Sequence, residues 1–221
     1  MRLVPWWALV SSGCAPVLLI GGSALAERWQ GPGYDPVTKT ISVLAAYGAP
    51  GYWLMTGVLV GIGASYVVTA VGLRAAALAG RVALACAGLD AMVLTLAPAP
   101  LSGGSFGHGS VATVGFALLA VWPVLAADRE GPAPWGLRPG VTATASAVMF
   151  ACAAWLLVAV LTQGVIGVAE RVLTFLQALW PLLVVVSCLG RAGRDRPLPW
   201  FSRRRPPPAP VVGRGRRGGQ P

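Results

Sequence analysis

The stretch AMVLTLAPAPLSGGSFGHGSVATVGFALLAVWPVLAA, residues 91–127, contains no charged side chain and determines the architecture of this chain. A membrane-spanning helix needs only about 20 apolar residues, so the stretch is too long for one helix. Near its middle, Pro98 and Pro100 are followed by glycines at 103, 104 and 107, a composition typical of a tight connection. The stretch therefore predicts two successive membrane helices joined by a short hairpin.

Charge-free runs on either side of this stretch give the remaining membrane segments. The run 40–73 is interrupted by Ala49-Pro50-Gly51, and residues 82–98 contain a single charge, Asp90. The sequence predicts an all-α membrane protein, a six-transmembrane-helix bundle with spans at about 4–26, 51–73, 82–98, 108–127, 140–163 and 172–190.

The overall composition also excludes an ordinary soluble domain. Of 221 residues, 56% are hydrophobic and 11% are charged, whereas soluble domains carry about 25% charged residues. The net charge of +10 lies mainly in residues 191–221, which are rich in Arg and Pro. We expect this tail to be disordered and to contact anionic lipid headgroups at the inner face of the bilayer through Arg203, Arg204 and Arg205. Nucleic acid is not an expected partner.

Basic residues indicate how the bundle is oriented. With both termini in the cytoplasm, most Arg residues outside the spans, among them Arg74, Arg81 and Arg138, lie on the inner side, as the positive-inside rule requires. We therefore expect cytoplasmic N and C termini. The sequence Ala24-Leu25-Ala26 resembles a signal-peptidase site, but the hydrophobic run before it is longer than that of a signal peptide. A retained first helix is favoured over a cleaved one.

Two neighbouring segments carry a family resemblance. YDPVTKTISVL (residues 34–44) is followed by GAPGYWLM (residues 48–55), and His108 and the Gly-Leu-Arg at 72–74 fit the same pattern. Over roughly residues 4–190 the chain resembles the domain of unknown function 998 family of prokaryotic six-helix membrane proteins. The resemblance implies a multi-pass protein of a prokaryotic plasma membrane, and it brings no assigned activity or catalytic residue.

Asp90 is the most informative polar residue, because it falls near the middle of the third predicted span. A charge at that depth costs about 2.5–3.5 kcal/mol, and such residues usually face the interior of the bundle. Two roles stay open: a neutral carboxyl that donates a hydrogen bond to a neighbouring helix, or a group that handles a proton, an ion or a substrate. Gln177 and Thr174 lie three residues apart on one face of the sixth span, and Gln177 is the partner that the sequence suggests for Asp90.

A second group of polar residues falls at the predicted outer face. His108 begins the fourth span, Asp35 lies in the first outer loop, and Glu170 and Arg171 occupy the loop before the sixth span. These residues form either a small polar site or a solvated rim of ion pairs. We expect no metal site, because one His is too few for zinc and the four Cys residues are dispersed in apolar segments. Residues 40–47 could form a short interfacial helix.

The chain lacks a phosphate-binding glycine loop, a metal-ligand cluster and a recognisable nucleophile–base pair. These absences favour a structural or regulatory membrane protein without chemistry of its own. We expect no cofactor, and a non-enzyme is favoured over an enzyme. Two alternatives stay open: a small proton-coupled transporter that uses Asp90, and an intramembrane enzyme acting on lipid. Small-residue helix faces, such as Gly57-x-x-x-Gly61, also leave a homo-oligomer open.

Overall fold

A computed structural model describes residues 4–128 and 132–194, with side chains up to residue 191. The described residues form helices and connections without a strand. The helices are α1 Trp6–Glu27, α2 Ile41–Leu44, α3 Tyr52–Gly72, α4 Leu78–Val93, α5 Phe106–Ala126, α6 Pro139–Thr162 and α7 Ile166–Arg194, with short 3-10 turns at Leu94–Leu96 and Trp135–Leu137. The Arg/Pro-rich tail, including Arg203, Arg204 and Arg205, lies outside the described residues.

The expected all-helical membrane architecture is confirmed. Six helical segments among the described residues are long and apolar enough to cross a bilayer. They are the α-helices other than α2, with α4 extended by the 3-10 turn to Leu96. Large apolar side chains such as Val60, Leu89 and Leu157 are exposed on the outside of the bundle, as lipid-facing side chains must be.

Two helices begin earlier than the charge-free runs indicated. The third span starts at Leu78 rather than near 82, and the sixth starts at Ile166 rather than near 172. The structure explains the first difference through Arg81, whose guanidinium Nε donates to the Ala70 carbonyl at 2.8 Å and so caps the end of α3. A helix can therefore continue through a charged residue that has partners, and a charge-free run underestimates its length.

The six long helices pack in chain order. Each contacts the next one along the chain, and α7 closes the arrangement against α1. Gly63 of α3 faces Gly88 of α4, and a Cβ at Gly63 would collide with the Gly88 carbonyl, so only glycines permit this approach. The Ser11 and Thr69 hydroxyls, 2.8 Å apart, join α1 to α3.

The small-residue motif in α3 has two different surroundings. Gly61 packs against the Leu18 side chain of α1, whereas Gly57 has nothing within 4 Å of the position a Cβ would take. Packing within the bundle therefore explains the small residue at position 61 but not the one at position 57.

Candidate functional site

A cavity of about 130 Å³ lies inside the bundle, and we call it the central cavity. Its wall comes mainly from α3, α4, α5 and α7, and α2 lines one end. Most lining side chains are aliphatic or aromatic. Five of the polar residues singled out in the sequence nevertheless meet here, on three different helices: Asp90, His108, Glu170, Thr174 and Gln177.

The carboxyl of Asp90 packs against α5 at Gly115, a position without a side chain. Its Oδ2 atom contacts the space that a Cβ at Gly115 would occupy. Gly115 lies near the middle of the α5 span, so the carboxyl sits at the depth of the bilayer interior. Within the described residues the carboxyl has no hydrogen-bond or ion-pair partner. Its polar oxygens therefore meet only the cavity and apolar neighbours.

Gln177 does not pair with Asp90 as the sequence suggested. Its Nε2 donates to the Phe116 carbonyl at 3.0 Å, so α4 and α7 each send a polar side chain to adjacent residues of α5. The side chain is 1% exposed, and its Oε1 has no partner in the described part of the chain. A buried amide oxygen left unpaired costs about 1–3 kcal/mol, which marks this side of the cavity as incompletely satisfied.

The hydroxyl of Thr174 serves its own helix. It donates to the Glu170 carbonyl at 2.8 Å, one turn earlier in α7. Thr174 therefore lines the cavity without presenting a free donor to it.

His108 lies at the start of α5, close to the hairpin that precedes this helix. Its Nδ1 is 2.9 Å from the Ala97 carbonyl, an acceptor, so Nδ1 carries the proton and a neutral ring leaves Nε2 as an acceptor. Seven residues separate His108 from Gly115, about 10 Å along the helix. His108 and Asp90 thus line one cavity at different depths and do not bond each other.

Glu170 is a buried residue of α7 and not a residue of a solvated loop. Its side chain is 5% exposed. One carboxylate oxygen accepts a short bond from the Ile41 backbone N–H, and the other accepts from the Ser42 hydroxyl at 2.6 Å. These bonds hold the first turn of α2, whose Ile41 and Leu44 side chains are buried in the bundle. The residues expected to form an interfacial helix therefore pack against α7 and line the cavity.

Arg171, the next residue, holds the segment that leads into α2. Its guanidinium donates to Glu27 Oε1 at 2.5 Å, to the Tyr34 hydroxyl at 2.6 Å, and to the Lys39 carbonyl at 2.9 Å. Burial raises the pKa of Tyr34, although the Arg171 charge opposes the change. The expected rim of ion pairs is thus represented by the Glu27–Arg171 pair, which is only partly exposed.

Asp35 stays apart from the cavity. It is exposed, and its carboxylate accepts from the Val37 N–H at 3.0 Å and from the Thr38 hydroxyl at 2.9 Å. These two donors, the backbone N–H first, hold the pKa of Asp35 below its usual value. Asp35 shapes its own turn, where the Arg171 charge also favours its carboxylate, and it does not line the cavity with His108 and Glu170.

Three cavity residues had no recognisable signal in the sequence. Tyr66 of α3 is 3% exposed and lines the cavity. Gly115 creates the space that Asp90 fills, and Ser42 binds Glu170. Gly115 and Ser42 act through residues far away in the chain, so no local pattern could have identified them. The described residues contain no group of His, Cys, Asp and Glu able to hold a metal ion.

Neither the curated proteins nor the solved structures gave a match. A family model described as "Protein of unknown function (DUF998)" matches residues 13–187, which is most of the chain and all but the ends of the six-helix bundle. The resemblance noted in the sequence is thereby confirmed, and the chain belongs to the DUF998 family of proteins of unknown function.

Proposed function

We propose that this protein is a small proton-coupled carrier that binds its substrate in the central cavity, where Asp90 exchanges a proton for the substrate. The observation that carries the proposal is the unpartnered carboxyl of Asp90 beside Gly115, at mid-bilayer depth, in a cavity. An unpaired charge there costs about 2.5–3.5 kcal/mol, so the empty carboxyl holds a proton. A bound substrate that supplies the missing partner releases it.

A purely structural role for Asp90 has less support. Such a role requires an acceptor on a neighbouring helix, and the described residues offer none to this carboxyl. Interhelical hydrogen bonds in membranes contribute only about 0.6 kcal/mol on average, so even a bonded neutral carboxyl would add little to stability. Gln177, the natural candidate, donates its amide N–H to Phe116, and its Oε1 stays unpaired instead of accepting from Asp90.

An enzyme acting on lipid is also less well supported. His108 is turned to the Ala97 carbonyl, and Glu170 is saturated by the start of α2. Neither residue activates a nucleophile in this arrangement, because a general base must reach the proton it removes.

Access to the cavity would be controlled by the segment 28–47, which we call the α2 segment. In the described part of the chain, Glu170, Arg171 and the Val168 N–H, which donates to the Val37 carbonyl, hold its polar groups to α7. Release of these bonds would open the cavity at this end. The excess of Arg at the opposite end puts the α2 segment outside a prokaryotic plasma membrane in this proposal, with both termini inside.

Thiol labelling from each side of the membrane tests the carrier function without a known substrate. The native Cys14, Cys86, Cys152 and Cys188 are replaced by Ala, and Ala112 in the cavity lining becomes Cys. We expect a membrane-impermeant methanethiosulfonate to modify this thiol from either side of oriented vesicles, because a carrier opens to both.

The matched control is Val114→Cys, which lies on the same helix but is 51% exposed on the lipid side. It should react from neither side, because an impermeant reagent does not enter lipid. Modification of the Ala112→Cys thiol from one side only, or from neither, would contradict alternating access.

A further inference from the structure

The charged residues described in the cavity lining are all acidic. Among the described residues, the lining includes the carboxyls of Asp90 and Glu170 and no Lys or Arg. Glu170 is saturated by Ile41 and Ser42, whereas Asp90 has no partner. Once Asp90 has released its proton, a site of this kind stabilises a cation and disfavours an anion, because walls of low dielectric strengthen the field of the carboxylate.

Two further polar groups of the lining, Gln177 and His108, offer acceptor atoms, and the Tyr66 hydroxyl can both donate and accept. Gln177 is 1% exposed and keeps Oε1 unpaired, while its N–H is used on Phe116. In the tautomer in which the Nδ1–H of His108 donates to the Ala97 carbonyl, Nε2 is an acceptor. A ligand that satisfies this set must bring donors, and an ammonium group brings donors and a positive charge together.

The rest of the lining selects an apolar body for the ligand. Met55, Ile62, Leu94 and Leu119 line the cavity, and the rings of Tyr66 and Phe116 add aromatic surface that can hold a cation. The volume of about 130 Å³ is close to that of an engineered apolar cavity of about 150 Å³ in another protein, which binds benzene. A bare metal ion is disfavoured, because it requires a shell of several oxygen ligands.

We propose that the central cavity binds a small organic cation, an ammonium on an apolar group of about the size of benzene, with Asp90 as its counter-ion and Gln177 Oε1 as an acceptor. This assignment of a substrate class rests on the proposed carrier function. It goes further, because a carrier with the same fold could equally have taken an anion or a neutral molecule.

Three water-soluble probes of equal size test the class of ligand: benzylamine, benzyl alcohol and benzoate. Binding to the full-length protein in lipid nanodiscs is measured by calorimetry at neutral pH, with empty nanodiscs subtracted. We expect benzylamine to bind at least about tenfold more tightly than benzyl alcohol, and benzoate not to bind. Excess sodium should not displace benzylamine. Equal binding of the amine and the alcohol, binding of benzoate, or displacement by sodium would overturn the proposal.

A pair of variants places the selectivity at Asp90. Asp90→Asn should remove the preference for benzylamine, whereas Asp35→Asn, the same chemical change at an exposed acid outside the cavity, should keep it. Loss of the preference in Asp35→Asn, or its retention in Asp90→Asn, would overturn the proposal. The comparison of the three probes on the unchanged protein decides the matter even where a variant fails to fold.

The same data separate this inference from the carrier function. Selective binding of benzylamine together with labelling of the Ala112→Cys thiol from one side only would support the cation site and refute the carrier. Labelling from both sides without selectivity for the amine would support the carrier and refute the cation site.

Discussion

The carboxyl of Asp90 on α4 and the α-carbon of Gly115 on α5 are in direct contact, so that a Cβ at position 115 would collide with the Asp90 Oδ2 atom. The acid of α4 therefore packs into the space left by the missing side chain of the α5 glycine. The Asp90 carboxyl can keep this position only if residue 115 is glycine, and it is this carboxyl that makes the middle of the cavity polar.

Gly115→Ala should therefore displace the Asp90 carboxyl or separate α4 from α5. We expect a loss of about 1–3 kcal/mol in stability, as for other overpacked sites, and weaker binding of benzylamine. Thermal unfolding and calorimetry measure the two effects. Gly109→Ala is the control, because nothing lies within 4 Å of its Cβ position. It should be neutral or stabilising, since alanine favours helices. Equal effects of both variants would argue against the contact.

Asp90→Asn should leave the protein at least as stable while it removes the preference for the cation. Replacing the acid by a neutral amide breaks no hydrogen bond, because the carboxyl has no partner among the described residues. It also removes the charge that would cost about 2.5–3.5 kcal/mol on ionisation, so the unfolding temperature should stay unchanged or rise. Such an exchange of stability against activity is common at functional sites. A marked fall in the unfolding temperature would show that Asp90 holds the helices together, as the structural interpretation requires.

Glu170→Gln should loosen the α2 segment. The carboxylate accepts from both Ile41 and Ser42, and its replacement weakens these charge-assisted bonds by about 1–3 kcal/mol in total. Hydrogen exchange at residues 41–44 should become faster. Thr174→Ala, one turn away with a hydroxyl bonded only to its own helix, should leave this exchange unchanged. Unchanged protection in Glu170→Gln would mean that other contacts fix α2.

The carboxyl of Asp35 should titrate below the usual value of about 3.9, because the Val37 N–H and the Thr38 hydroxyl favour its charged form. Since the folded-state pKa is lowered, the stabilisation of this turn is present above the unfolded-state pKa and is lost as the pH falls through the folded-state pKa. Thr38→Ala removes one donor and should raise the midpoint, as an NMR titration would detect. A midpoint at or above the usual value would be inconsistent with this turn.

Arg203, Arg204 and Arg205 should draw the tail to anionic lipid, with about 1 kcal/mol for each Arg near the surface. Replacing all three by Ala in the full-length protein should weaken tail contact with vesicles rich in phosphatidylglycerol, as a fluorophore attached to the tail would report. Contact that is indifferent to anionic lipid content would refute this role.

The sequence contained most of the fold and part of the site. Uncharged runs and the Pro/Gly hairpin gave the six spans, because a bilayer requires long apolar helices and little else has that pattern. Asp90, His108 and Gln177 were found because polar residues within such runs are rare. The predicted location of Glu170 and Arg171 in a loop was wrong. Both lie within α7, where they form hydrogen bonds with the α2 segment.

What the sequence could not give are relationships between distant residues. The match between Asp90 and Gly115 depends on the rotation of α4 against α5, and glycines are too frequent in this chain for one of them to stand out. The burial of Ile41 and Leu44 likewise depends on the contact between Ile41 and Glu170, which are 129 residues apart in the chain. Both relationships arise from packing, which no single segment encodes.

Proton release on cation binding is the most direct test of the account. Benzylamine is titrated into the full-length protein by calorimetry in two buffers that differ in ionisation enthalpy. If Asp90 exchanges its proton for the cation, close to one proton is released per benzylamine bound, and Asp90→Asn removes the release. Binding without proton release, or release that persists in Asp90→Asn, would contradict the central role of this carboxyl.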